Sequence, residues 1–477
     1  MLLSVSNYHQ TKMAAHPKVY QLPSSAEYKC LDRFSLHPTG DEVEDVNGNV
    51  PLWPILEHLL SQPVTCAVSL IDLLETICVT VHSTVGSAGD HGLLRRIVEA
   101  RSNSFFAACW PRLVQVALQL PELFPSGYIP ILNDYIPPVM FTRRQAACLV
   151  IHQFLRTLRA PEWRHDGTHD FGIWYSSEQR QESAALAYLE ALFVYFDQVV
   201  YDESQLDDPL WMIQYDLRST DQEEMIITQS CPLANIEIAI VDKYDLSPKS
   251  LALPGGAAVI SANKYIGFGQ SATQEEVHVG TSPEACPAVL ITPPLTDNQA
   301  LIVKGAQAMI NITGQRRDIA VEAMSLPEGG LRTWRERTML FMDALELDMV
   351  DVQEGALPDL IPGNTDREIK KAFTAFSSAR YGEVRTGIWG CGAFCGDPAV
   401  KTLLLWIAAS LAGVKLVVVC DYQNQVTGTE LQGLVSKVKD RLGDVQGILK
   451  LLENAPRGLL RFQTAPEFEK MLEASDN

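Results

Sequence analysis

The chain has 477 residues, 47% hydrophobic and 20% charged, the balance of a globular protein with room for two or three domains. With 58 acidic against 38 basic residues the net charge is −20, which argues against an extended nucleic-acid groove, since such a groove needs a basic face to neutralise phosphates. A small anionic ligand stays open, because backbone N–H groups and helix N-termini hold phosphate without net positive charge.

Residues 1–45 show no sustained periodicity and read as a poorly ordered leader; "MLLSVSNYHQTK" has too short an apolar run for a signal peptide. Residues 46–220 read as a helical accessory domain. "PLWPILEHLLSQP" and "FFAACWPRLVQVALQLPELF" repeat apolar residues at three- and four-residue spacing. Thr142 is the expected N-cap of "TRRQAACLVIHQFLRTL", and Ser176 or Ser177 the expected start of "SSEQRQESAALAYLEALFVYFDQV". Between them "APEWRHDGTHDFG" reads as a polar loop.

After about residue 220 the period changes. "NIEIAIVD" alternates as a half-buried strand does, and "AAVISAN", "AVLITP", "ALIVKG" and "VKLVVVC" are short β-branched runs. Helices are expected over 331–347, 366–377, 398–412 and 428–453. Strands mixed with helices define an α/β domain over 221–457, with 458–477 as a C-terminal tail. The most apolar stretch, "TLLLWIAASLAGVKLVVV", contains Gly413 and Lys415 and reads as a buried helix feeding a strand, not a membrane span. The ten cysteines lack disulfide-scaffold spacing, so free thiols in a reducing compartment are expected.

Two glycine turns are the candidates for carrying chemistry. In "VISANKYIGFGQSATQEEV" a strand runs into Gly267 and Gly269 and then into a helix head bearing Gln274, Glu275 and Glu276. Neighbours at i and i+1 do not face each other, so these acids are not a pair flanking one bond; they have different tasks or simply suit the positive end of a helix. In "RTGIWGCGAFCGDPAVK" the glycines 390, 392 and 396 precede Asp397 and Pro398, a good N-cap and first helical residue. A glycine-rich turn opening a helix is a natural phosphate cradle, and Phe394 offers a ring to a sugar or base or tucks into the core. Together the turns fit a ligand with a diphosphate and at least one ring, although neither matches a Walker A or G-x-G-x-x-G pattern. No metal is expected at Cys391 and Cys395, which lack a second pair, or at His165 and His169, which lie in a polar loop without partners. His278 reads as a packed side chain or a support for the acids.

"GFGQSATQEE" resembles the signature of the poly(ADP-ribose) glycohydrolases, a glycine triplet followed by Gln-Glu-Glu, and "GIWGCGAFCGD" is similar to that family's second loop. "VISANKYIGFG", "MFTRRQAACLVIHQFL" and "GDVQGILKLL" also have counterparts there, so the resemblance runs from about residue 50 to 455. It implies a macrodomain-like mixed sheet flanked by helices, preceded by an all-α accessory domain. It further implies cleavage of ribose–ribose O-glycosidic bonds in protein-attached poly(ADP-ribose), releasing ADP-ribose mainly from chain ends. No cofactor, no metal, no direct DNA binding and no membrane association are implied, and the location is intracellular, nuclear or cytoplasmic. By position, Glu276 would be the acid/base, Glu275 would hold ribose hydroxyls, and Gln274 and Asn263 would orient the terminal unit. Gly267, Phe268 and Gly269, with the turn of Trp389, Gly390, Cys391, Gly392, Ala393 and Phe394, would wrap the diphosphate and distal ribose.

The chain departs from the family at several places. The middle glycine of the triplet is Phe268, and the "QSAT" spacer is short. Family polar residues are replaced by Ile260 and Ile388; the adenine-stacking Tyr falls near Gln315, and a second ring position falls at Val419 or Cys420, with Tyr422 the nearest ring. Phe268 is therefore expected to take over ring contacts. An active hydrolase leads, a non-hydrolysing ADP-ribose reader is the alternative, and removal of protein-linked terminal ADP-ribose is a third reading. Lys304, Arg316 and Arg317 are candidates for a local positive field that would steer a polyanion.

Overall fold

Eight strands form one mixed sheet: β1 (Val139–Thr142), β2 (Met212–Ser219), β3 (Ile236–Ile240), β4 (Ala257–Ala262), β5 (Gln299–Lys304), β6 (Thr338–Asp343), β7 (Glu383–Thr386) and β8 (Lys415–Cys420). Their spatial order is β1-β2-β5-β6-β4-β7-β8-β3. The first four strands pair antiparallel, and from β6 through β4, β7 and β8 to β3 every pairing is parallel. The computed structural model describes residues 18–39, 43–82, 89–165, 167–220, 231–314, 318–349, 357–456 and 458–474. Gln315, Arg316 and Arg317 lie outside the described residues.

Central strands buried on both faces read as continuous apolar runs, and β6, "TMLFMD", is buried at every position. On one face Ile260, Leu301, Val303, Met339 and Phe341 join the core of the helical half. On the other, Val259, Ile302, Leu340, Met342, Leu416 and Val418 pack under helices that include Asn364–Phe376 and Pro398–Ala412. The helical half thus roofs the sheet directly. It also supplies β1 and β2, so the sheet draws on both sides of the boundary expected at residue 220.

Several expectations hold. Thr142 caps the Arg143–Phe154 helix in a capping box with Gln145. The apolar run over 402–419 is a buried helix followed by β8, and the ten cysteines are free. Among the described residues, one helical stretch, Glu182–Val200, is long and apolar enough to cross a membrane. Its side chains are largely buried within the helical half.

Others are corrected. The helix expected from Ser176 begins at Glu182, because Asp90 Oδ2 takes the Ser177 amide at 2.6 Å and holds that segment in a loop. Residues 331–336 form a 3-10 turn before β6, and Ala288–Ile291 is one helical turn, not a strand. Short apolar runs of this kind carry no decisive period. The helix expected over 428–453 is two, Gln425–Arg441 and Val445–Glu453, with Asp444 capping the second.

Both expected loose ends are packed where they are described. Val19–Gln21 pairs with Tyr128–Pro130 and Lys29–Leu31 with Asn49–Pro51, burying Tyr20, Leu22 and Tyr28. Three-residue strands are too short to show alternation. In the expected tail, the Thr464–Ala474 helix buries Ala465, Phe468 and Leu472.

Candidate active site

Both glycine turns leave the carboxyl ends of adjacent parallel strands, β4 and β7, which is where open α/β sheets bind ligands. β4 and β7 are paired only through Ala257 and Ala258. Beyond that point Gln274 acts like a peptide group: its Oε1 accepts from Ser261 N at 2.7 Å and its Nε2 donates to Val259 O at 3.0 Å. The side-chain amide has the donor and acceptor a neighbouring strand would have offered.

The Gln274–Gly280 helix opens with a second capping box. The Thr273 hydroxyl accepts from Glu276 N, and Glu276 Oε2 accepts from Thr273 N at 3.1 Å and from Ser271 N at 2.8 Å. Glu276 is half-buried, and its carboxylate folds back over Gly269; a Cβ on Gly269 would sit 1.8 Å from Oε1. Glu275 points the other way. Its two oxygens accept from Asn263 N at 2.9 Å and Gly267 N at 3.1 Å, tying the strand exit to the glycine turn. Asn263 itself turns back to accept from Tyr265 N at 3.0 Å. Burial pushes the Glu275 carboxyl up to about 8, against the pull of those two amides.

The turn is backed by the helical half. Trp174 Nε1 donates to Gly269 O at 3.0 Å, Gln270 Nε2 donates to Ile173 O at 2.7 Å, and Arg164 donates to Ile266 O. A Cβ on Gly267 would lie 2.6 Å from the Arg164 guanidinium, which would have to shift to admit it. Phe268 does not offer its ring to a ligand. It is buried, with ring centroids 5.5 Å from Phe171 and 5.4 Å from Trp174, because the side chain fills an aromatic niche in the helical half. His278 is packed: its Nε2 pairs with the Tyr244 hydroxyl, which lies 3.4 Å from Gln274 Nε2, and burial holds the imidazole well below its usual range.

The second turn divides its residues between core and surface. Trp389 is fully buried and donates from Nε1 to Met342 O at 3.0 Å, so it anchors the turn to β6 and presents no ring outward. Cys391 is buried too, with its thiol pushed well above the usual range by burial. Gly390, at φ +73°, would place a Cβ 2.7 Å from Ala344 Cβ. Gly392 and Ala393 are exposed and Phe394 is half-buried. Among the described residues the amides of Gly392, Ala393 and Phe394 have no backbone partner, three consecutive donors of the sort that form an anion-binding nest.

Asp397 caps the Pro398–Ala412 helix, accepting at Oδ1 from Ala399 N and Val400 N at 3.0 Å each. Lys401, one turn on, is buried under the turn and pairs with Glu368 and, at 3.9 Å, with Asp359. Asp359 accepts from Asp397 N at 3.1 Å, and burial raises its carboxyl to about 6. Arg461 reaches in from the chain's last segment to donate to Gly396 O at 3.0 Å and to Cys391 O. Phe462 N and the Thr464 hydroxyl both bind Asp397. Sequence reading missed Lys401, Asp359, Glu368 and Arg461. One signal was available: a lysine inside "PAVKTLLLWIAAS" must find a buried partner. The T-x-x-E of Thr273 and Glu276 was equally readable as a capping box.

Of the remaining candidates, Ile260 is buried, Ile388 is half-buried, and Lys304 and Tyr422 are exposed. Cys391 is buried while Cys395 is exposed, and His165 is exposed while His169 is buried.

A mixed sheet with glycine turns at the ends of two parallel strands and helices on both faces defines a macrodomain-type α/β protein. The family model described as poly(ADP-ribose) glycohydrolase, macro domain fold, matches residues 247–428, and the model for that enzyme's helical domain matches residues 97–215. The chain belongs to the poly(ADP-ribose) glycohydrolase family. Poly(ADP-ribose) glycohydrolase 2 of Caenorhabditis elegans is 24% identical over 317 residues, covering 63% of this chain and 61% of that one. Poly(ADP-ribose) glycohydrolase 1 of the same organism is 23% identical over 348 residues, covering 69% and 42%. Poly(ADP-ribose) glycohydrolase 1 of Arabidopsis thaliana is 26% identical over 218 residues, covering 31% and 40%. The chain thus spans less than two thirds of the length of each of these relatives.

Proposed function

We propose that the protein hydrolyses ribose–ribose O-glycosidic bonds of protein-attached poly(ADP-ribose), releasing ADP-ribose mainly from chain ends, without a metal at the reacting centre and inside the cell. The observation that carries this reading is the divergence of two adjacent carboxylates at one helix head, beside a glycine turn at the mouth of the sheet. Glu275 faces inward and ties the strand exit to the turn, whereas Glu276 is half-buried and reaches the turn's surface. Side chains at i and i+1 leave a helix in different directions, so two tasks fall to two neighbours.

Glu276 then serves as the acid that protonates the leaving ribose oxygen and, once ionised, as the base that takes a proton from the attacking water. The proton given in the first step is recovered in the second. Glu275 holds the ribose hydroxyls, and Gln274 fixes the helix head against β4. The capped N-terminus of the Pro398–Ala412 helix is already occupied by Asp397, so the diphosphate falls to the consecutive amides of Gly392, Ala393 and Phe394. The test is to incubate the protein and its Glu276→Gln variant with a poly(ADP-ribosyl)ated acceptor. Free ADP-ribose from the wild type alone supports the hydrolase; binding by both proteins without release would make it a reader.

A further inference from the structure

The segment over 160–174 carries Arg164, Phe171 and Trp174 to the first glycine turn. Its other side is anchored where His169 and Asp170 meet His82, the last residue of the Ala67–His82 helix. One donor atom from each of the three lies within 4.8 Å of the others, and the two imidazoles cross edge-on with centroids 6.0 Å apart. His169 Nε2 is 3.1 Å from Leu158 O, which can only accept, so Nε2 holds the proton and Nδ1 a lone pair. A backbone carbonyl that fixes the outer ring nitrogen is the usual support of a metal-binding histidine.

Two nitrogens of this cluster, His82 Nε2 and His169 Nδ1, are buried with no hydrogen-bond partner among the described residues. Buried polar atoms are normally satisfied, and two buried imidazole nitrogens without partners in one cluster ask for a partner they could share. Asp170 Oδ1 accepts from Gly172 N at 2.8 Å, while Oδ2 accepts from Arg156 Nε at 3.4 Å and lies 3.6 Å from His169 Nε2.

We propose that His82, His169 and Asp170 bind a divalent first-row transition metal, Zn²⁺ being the ion that a His-His-carboxylate set suits, as a clip joining the Ala67–His82 helix to the segment behind the glycine turn. Arg156, 3.3 Å from Asp170 Oδ1, is the opposing charge and makes this a weaker site than one built from anions alone. His165 has ligand-like spacing to His169 but is exposed and outside the cluster.

The experiment is a titration of the chelator-stripped full chain with Co²⁺, read by visible d–d absorption, followed by displacement with Zn²⁺ and by thermal denaturation with and without Zn²⁺. One equivalent should bind and raise the unfolding midpoint. His82→Gln and His169→Gln should each weaken binding by more than the roughly 10–100-fold that loss of a supporting hydrogen bond costs. His165→Gln should leave the titration unchanged. Since His82 is half-exposed at a helix end, its variant should stay folded, as circular dichroism would verify. Absence of stoichiometric binding by the wild type, or a titration that folded His82→Gln leaves unaltered, overturns the site. Release of ADP-ribose is not a readout here, so this result and that of the hydrolase assay stand apart.

Discussion

The two glycine turns lie at neighbouring strand ends yet are held in opposite ways. The first is held largely by its own helix head: Gln274, Glu275 and Glu276, the two acids being those proposed to act on substrate, all bind backbone amides of the strand and turn. The second is held from beneath and behind by Lys401, Asp359, Trp389 and Arg461, and its tip amides have no backbone partner among the described residues. In the first turn, chemistry and scaffold share residues, so substitutions there should change both. In the second they are separable.

Glu276→Gln is the sharpest test, because glutamine keeps an oxygen able to accept from Ser271 N and Thr273 N while losing the transferable proton. ADP-ribose release should fall about 10²–10⁴-fold with little change in the unfolding midpoint. Loss of folding alongside loss of activity would mean that the carboxylate is a structural brace and no more.

In the second turn, Lys401→Met leaves Glu368 and Asp359 buried without their cation, which should cost about 3–5 kcal/mol in a denaturant titration. A variant as stable as the wild type would show that the ion network is not what supports the turn. Phe268→Ala should cost about 3 kcal/mol through the cavity left beside Phe171 and Trp174, while the folded fraction binds ADP-ribose as before. Reduced affinity in fully folded protein would return the ring to the ligand.

A further test of the first turn concerns pH. Burial raises the Glu275 carboxyl from its unfolded value of 4.5 to about 8, so the folded protein binds this proton more tightly than the unfolded chain. That contribution to stability is complete below pH 4.5 and is lost as pH rises towards 8. Glu275→Gln should flatten this part of the stability curve between pH 5 and 8. An unchanged slope would place the titration elsewhere.

What could be read in advance was whatever is local. The glycines, the Asp397–Pro398 helix start and the Thr142 cap each announce themselves within a few residues. The direction in which Phe268 points does not, since a ring beside glycines looks the same whether it faces ligand or core. Its neighbour Trp174 holds the turn from 95 residues away in sequence. Lys401 and Arg461 likewise acquire meaning only through partners brought together by the sheet. The short strands near residues 19 and 29 were illegible because pairing, not pattern, defines them.

Arg461 also sets an order of events. During synthesis the second turn emerges with the Gly396 carbonyl lacking a partner that lies 65 residues further on. At typical elongation rates that interval is roughly 3–13 s. The second turn is therefore completed only once residue 461 has been made, and a nascent chain stopped before residue 458 would carry the Glu276 helix head without a finished second turn.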